Sequence, residues 1–96
     1  MTVSVSTHVL DTGAGRAAAG VAVELAHDGA TIAAAETDAD GRVHLADGLP
    51  PGLYRLVFHP PSPFFRRVDL EVDLVDGHYH VPLLVSSFGC TTYRGS

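Results

Sequence analysis

The chain has no lysine, asparagine, glutamine or tryptophan, and it carries a single cysteine and a single methionine. Each absence removes chemistry. Without lysine no Schiff base can form on a side chain. All six basic residues are arginines, set against eleven acidic ones, and the formal net charge is −5 with no basic run. That balance argues against nucleic acid as a partner. A lone Cys90 excludes an internal disulfide and fits a reducing compartment. No apolar run approaches the roughly 20 residues of a membrane helix, so no membrane partner is expected. The opening MTVSVSTHVLD lacks the charged start and continuous apolar stretch of a secretory leader. The cytoplasm is therefore the expected location. Also missing are a GxSxG nucleophile elbow, a phosphate-binding glycine loop and a paired-cysteine zinc motif.

What the sequence does contain is alternation. The 96 residues suit one domain, 1–96, and a chain of this size buries about 60–70% of its unfolded surface. Val3, Val5 and Val9 share one side of an extended segment whose other side carries Ser4, Ser6 and His8. Val21, Val23 and Leu25 repeat the pattern, and HDG at 27–29 reads as a tight hairpin leading into TIAAAET. DADG at 38–41 is a second turn, followed by RVHL with Val43 and Leu45 opposite Arg42 and His44. LPPG opens the strand LYRLVF, and the three prolines of HPPSP then require an extended loop. RVDLEVDLV alternates most cleanly, while HYHVPLLVS and FGCTTYR supply two further strands. AGRAAAG at 14–20 is glycine-bounded and reads as a loop. The sum is an all-β antiparallel sandwich of about eight strands with little or no helix.

Few residues stand out for chemistry. Cys90 reads as a small buried hydrophobe, and Asp38 and Asp40 as turn formers bonding nearby backbone. His78 and His80, two apart on a strand, point to one side together. That spacing suits a metal, but two histidines are an incomplete site and a third ligand, such as His8, would have to come from elsewhere. His8 and Arg42 each lie opposite the apolar residues of their strands, and taken singly each reads as solvated. Periodicity does not say whether their strands are neighbours.

Taken together, STHVLDTGAGRAAAGVAVEL, TDADGRV, LPPGLYRLVF and HYHVPLLVSSFGCTTYRGS, in this order, resemble the transthyretin-related 5-hydroxyisourate hydrolases. STHVLD and YRGS are the most specific parts, and the similarity runs over nearly the whole chain. The resemblance implies a transthyretin-like sandwich of eight strands that assembles as a homotetramer, with sites in a channel between dimers. It implies hydrolysis of 5-hydroxyisourate to 2-oxo-4-hydroxy-4-carboxy-5-ureidoimidazoline in urate (purine) degradation, by opening a cyclic amide C–N bond. No metal and no organic cofactor is implied.

The resemblance also assigns roles. His8, Arg42, His80 and Ser96 fall on its catalytic positions, and His8, Arg42, Tyr93, Arg94 and Gly95 on its substrate-binding ones. Imidazole is the side chain suited to activating water near neutral pH, and Arg42 can stabilise developing negative charge. The chain departs from the family's usual pattern at Cys90, where tyrosine is usual, and at Ser87, where proline is usual. The HPPSP loop and the 27–29 hairpin are also abbreviated. The alternative is a transthyretin-like protein that binds a small ligand without turnover, since binding and catalysis would use the same residues.

Overall fold

A computed structural model describes residues 1–95. The alternating segments form nine strands: β1 (Val3–Asp11), β2 (Arg16–Ala17), β3 (Ala22–His27), β4 (Ala30–Glu36), β5 (Arg42–Leu49), β6 (Gly52–His59), β7 (Val68–Leu74), β8 (Gly77–Val85) and β9 (Cys90–Thr92). No helix occurs among the described residues.

The strands make a two-layer sandwich. One sheet is antiparallel throughout, in the order β4-β3-β6-β7. In the other, β1 is central: β8 lies along one of its edges, while β5 and the short β2 share the other. β9 pairs with the far side of β8. The core between the sheets is built from the apolar side of each alternation. Val3, Val5, Val9, Leu25, Tyr54, Leu56, Phe58, Leu74 and Leu83 are all at most 1% exposed, and each such side chain contributes about 1.5–3 kcal/mol on burial. Thr7 interrupts the valine row of β1, and its hydroxyl donates to the Val81 carbonyl, so no polar atom is stranded.

Three expectations are corrected. The sandwich is not wholly antiparallel, because β1 and β8 run parallel from Val3↔Gly77 to Asp11↔Val85. Alternation reports which side a residue faces and is blind to strand direction. AGRAAAG is not all loop: Arg16 and Ala17 pair with Asp11 and Leu10 as β2, the ninth strand. In FGCTTYR only Cys90–Thr92 is strand, and the segment then touches β8 again at a single bridge, His80↔Gly95.

The turns follow their sequences. In HDG, Asp28 and Gly29 both take left-handed backbone, with φ of 50° and 79°, the geometry of a two-residue hairpin turn. Gly41 ends the second turn with φ of 76°, and a Cβ there would sit 2.5 Å from the Val9 carbonyl oxygen. Only glycine fits, and the Gly41 carbonyl in turn accepts from Val9 N–H at 2.7 Å. That close approach locks the start of β5 onto β1.

Candidate active site

The central position of β1 decides where the chemistry lies. Its even-numbered residues face away from the core, and both neighbours are in register with them. His8 pairs with Arg42 of β5 on one side and Pro82 of β8 on the other. Ser6 pairs with His44 and His80, and Ser4 with His78. Directly paired residues project to the same side of a sheet. Arg42, His44, His8, His78 and His80 thus share the outer face of this sheet. Four of the six histidines in the chain are gathered there.

The second turn orients one end of the cluster. The Asp38 carboxylate accepts from Asp40 N–H at 2.9 Å and from Arg42 N–H at 3.0 Å. Those backbone bonds, led by the one from Arg42, hold Asp38 below the ordinary carboxylate range. The turn so fixed presents the Asp40 carbonyl to His8, whose Nε2–H donates to it at 2.8 Å. A carbonyl only accepts, so neutral His8 carries its proton on Nε2 and a lone pair on Nδ1.

Hydroxyls orient the other end. Ser6 Oγ lies 2.8 Å from His80 Nδ1 and 2.8 Å from His78 Nε2, and Ser4 Oγ lies 2.6 Å from His78 Nδ1. Both nitrogens of His78 are therefore engaged, whereas His80 Nε2 has no partner among the described residues. Burial, followed by the positive charges possible at His8, His78 and Arg42, pushes the His80 pKa down from its ordinary value of 6.5. His44 lies parallel to His78, with centroids 5.8 Å apart and planes at 6°, and its Nε2 meets Asp47 Oδ2 at 2.9 Å.

Gly95 closes onto the same ring. Its N–H donates to the His80 carbonyl at 2.6 Å. A Cβ on Gly95 would lie 2.9 Å from His80 Cδ2, so the chain passes flush against the imidazole.

The sequence-assigned residues thus separate into two groups. His8, Arg42, His80 and Gly95 come together. Arg94 does not join them: its guanidinium stacks over the Tyr79 ring at 4.1 Å, and its Nη2 donates to the His78 carbonyl at 3.4 Å. With Tyr93, Leu70, Val72 and Leu74 it lines a hollow of about 380 Å³, at the open edge between the sheets rather than over the imidazoles. Ser96 lies outside the described residues. Cys90 is half-buried against the core, and burial raises its thiol pKa, which disfavours the nucleophilic thiolate. His78 belongs to the cluster through its hydroxyl partners. Among the described residues no group of three His, Cys, Asp or Glu side chains is placed to hold a metal ion.

The residue types of Ser4, Ser6, His44 and Asp47 do not by themselves mark them as part of a site. The available signal was that Ser4, Ser6 and His8 alternate on one side of β1, which places the two serines beside whatever pairs with His8.

Fold and site together define a transthyretin-like β-sandwich with an outward-facing imidazole and guanidinium cluster. The chain belongs to the HIUase/Transthyretin family, whose profile matches residues 5–95. It is 41% identical over 111 aligned positions to the 5-hydroxyisourate hydrolase of Caulobacter vibrioides, covering 95% of this chain and 96% of that one. The solved structure of Klebsiella pneumoniae 5-hydroxyisourate hydrolase superposes with a TM-score of 0.89 at 35% identity, covering 98% and 99% of the two chains. Sea bream transthyretin in complex with thyroxine superposes with a TM-score of 0.83 at 30% identity, covering 95% and 93%.

Proposed function

We propose that this protein hydrolyses 5-hydroxyisourate to 2-oxo-4-hydroxy-4-carboxy-5-ureidoimidazoline in urate degradation. The observation that carries this reading is the convergence of His8, Arg42 and His80 on one face, in a chain similar over nearly its whole length to hydrolases of that name. His80 Nε2 takes a proton from water as the oxygen attacks the ring carbonyl, and the depressed pKa keeps this imidazole neutral and able to accept. Arg42 stabilises the oxyanion or the anionic substrate through its paired N–H donors. His8 Nδ1 accepts from a substrate N–H and fixes the ring's orientation. Expulsion of the ring nitrogen then opens the cyclic amide, and the proton held by His80 returns to it. Positioned base catalysis supplies about 10²–10⁴-fold of the rate. The steps draw on no metal and no organic cofactor.

Tyr93, Arg94, Gly95 and Ser96 belong to the substrate side of this reading. Arg94 reaches it by leaving Tyr79, a rotation that costs a cation–π contact of about 0.5–1 kcal/mol at an exposed site. We assign a homotetramer in which the imidazole face is covered by a second copy, and a cytoplasmic location. The whole of 1–96 acts as one domain.

The test is direct. Freshly prepared 5-hydroxyisourate is mixed with the protein, and its ultraviolet decay is followed against buffer. Accelerated decay supports the hydrolase. Saturable binding with decay at the buffer rate would mark a carrier, in keeping with the likeness to the thyroxine-bound transthyretin.

A further inference from the structure

The bonds on the far side of His80 form a single directed chain. Ser4 Oγ, His78 Nδ1, His78 Nε2, Ser6 Oγ and His80 Nδ1 follow one another at 2.6, 2.8 and 2.8 Å across the gaps between residues. Each serine has only one proton to give. If His80 Nε2 is to accept a proton, neutral His80 must carry its own on Nδ1, donating to Ser6. Ser6 then has its O–H left for His78 Nε2, and His78 donates Nδ1–H to Ser4. Each of the three bonds in this arrangement then joins one donor to one acceptor.

The two rings differ in what surrounds them. His80 is half-buried among groups that disfavour a second positive charge: His8, His78 and Arg42. His78 is exposed, and it lies against the His44 ring, which is paired to the Asp47 carboxylate. Among the described residues, these five groups and Asp47, taken from β1, β5 and β8, face the relay, and the Arg94 guanidinium reaches the His78 carbonyl at 3.4 Å. A cation is better tolerated at the His78 end, nearer the carboxylate and water.

We propose that Ser6 is a positioning residue that holds His80 as the Nδ1–H tautomer, and that Ser6 and His78 together relay the proton His80 receives. The inference rests on the hydrolase reading for its chemical step. As a water proton passes to His80 Nε2 and the water oxygen bonds to the carbonyl carbon, the carbonyl π pair moves onto its oxygen. The Nδ1 proton of His80 passes to Ser6 Oγ while the Ser6 hydroxyl proton passes to His78 Nε2, leaving His78 as the imidazolium. When the tetrahedral species collapses, the C–N bond breaks with its electron pair on nitrogen. The protons then step back along the same path, and His80 Nε2–H protonates the leaving nitrogen.

Three measurements on the full chain test this. The first is ¹⁵N NMR of the imidazoles without substrate, which reads the tautomer directly: His80 is expected as Nδ1–H in the wild type and as a mixture in Ser6→Ala. The second is steady-state kinetics. Ser6→Ala should lower kcat at least about tenfold, within the 10²–10⁴-fold that a general base supplies as a whole, with KM little changed, and Ser6→Thr should restore most of it. The third is the rate in mixtures of H₂O and D₂O, expected to bow with deuterium fraction in the wild type, as for several moving protons, and to be linear in Ser6→Ala and His78→Gln. An Nε2–H tautomer in the wild type, an unchanged kcat in Ser6→Ala, or a linear wild-type dependence each overturns the relay. A wild type that shows the Nδ1–H tautomer but does not turn over 5-hydroxyisourate supports the positioning role of Ser6 and removes the hydrolase instead.

Discussion

Gly95 has no side chain where one would strike His80. A methyl group there would lie 2.9 Å from Cδ2 and 3.3 Å from the carbonyl oxygen of the same residue, so Gly95→Ala must turn the ring or lift the segment away. A reacting group displaced by about 1 Å can cost about 10²-fold. We expect Gly95→Ala to lose tenfold or more in kcat, roughly in line with that sensitivity, while its circular dichroism matches the wild type. The histidines should separate by location. His8→Asn and His80→Asn should each lower turnover by about 10²-fold or more with the fold intact. His27→Asn should spare turnover, because His27 stacks on Tyr54 at 4.2 Å and donates to the Leu53 carbonyl, on the other sheet. Its loss should show instead as a lower melting temperature, in keeping with a stacked pair worth about 0.5–1.5 kcal/mol. The pH dependence has a definite sign. Burial and the neighbouring positive charges lower the His80 pKa from 6.5, so the base form survives to lower pH than in a free imidazole. The acid limb of kcat/KM should fall below that value. For stability the same shift acts oppositely: the unfolded chain takes up the proton first, so His80 contributes a loss of stability as pH falls through 6.5 towards its folded pKa.

At the scale of elements, the turn at 38–41 links backbone geometry to chemistry. Asp38 holds the N–H groups of Asp40 and Arg42, and through Asp40 it fixes the proton of His8. Asp38→Ala should therefore lower kcat/KM without touching substrate, and Asp38→Asn, which keeps an acceptor oxygen, should recover most of it. Equal losses in the two variants would show that the carboxylate's charge matters rather than its hydrogen bonds. Strand content, the inward residues, the 27–29 hairpin and the 38–41 turn can be read from alternation and from D-G pairs. So can the outward placement of His8, Arg42 and His80. What could not be read was adjacency. Nothing in VSVSTHVL says that β8, 74 positions away, lies along it in parallel, because the period of two is the same for either direction. The role of Ser6 is hidden in the sequence for a related reason. A serine opposite a valine row looks solvated until the strand beside it brings two imidazoles within 2.8 Å. The YRGS motif alone points to Arg94, and its stacking on Tyr79 depends on which way a short edge segment turns.

At the scale of the whole molecule, β8 is apolar on both sides. Val81, Leu83 and Val85 enter the core, while Pro82 is buried and Leu84 half-buried on the outer side beside the histidines. A strand apolar on both sides calls for two coverings. Light scattering at micromolar concentration should give a tetramer, and a stable monomer there would leave the imidazole face open and the proposed site without its cover.

The parallel pairing of β1 with β8 also bears on how the protein comes into being. The first strand made, residues 3–11, has its principal neighbour at residues 77–85. During synthesis β1 must wait with an unpaired edge until most of the chain exists, and closing so long a loop is slow. Two imidazoles of the cluster arrive only with that last central strand. A chain that has not yet made β8 cannot hold His8 and His80 together, so the imidazole cluster forms only after residue 80 has been made.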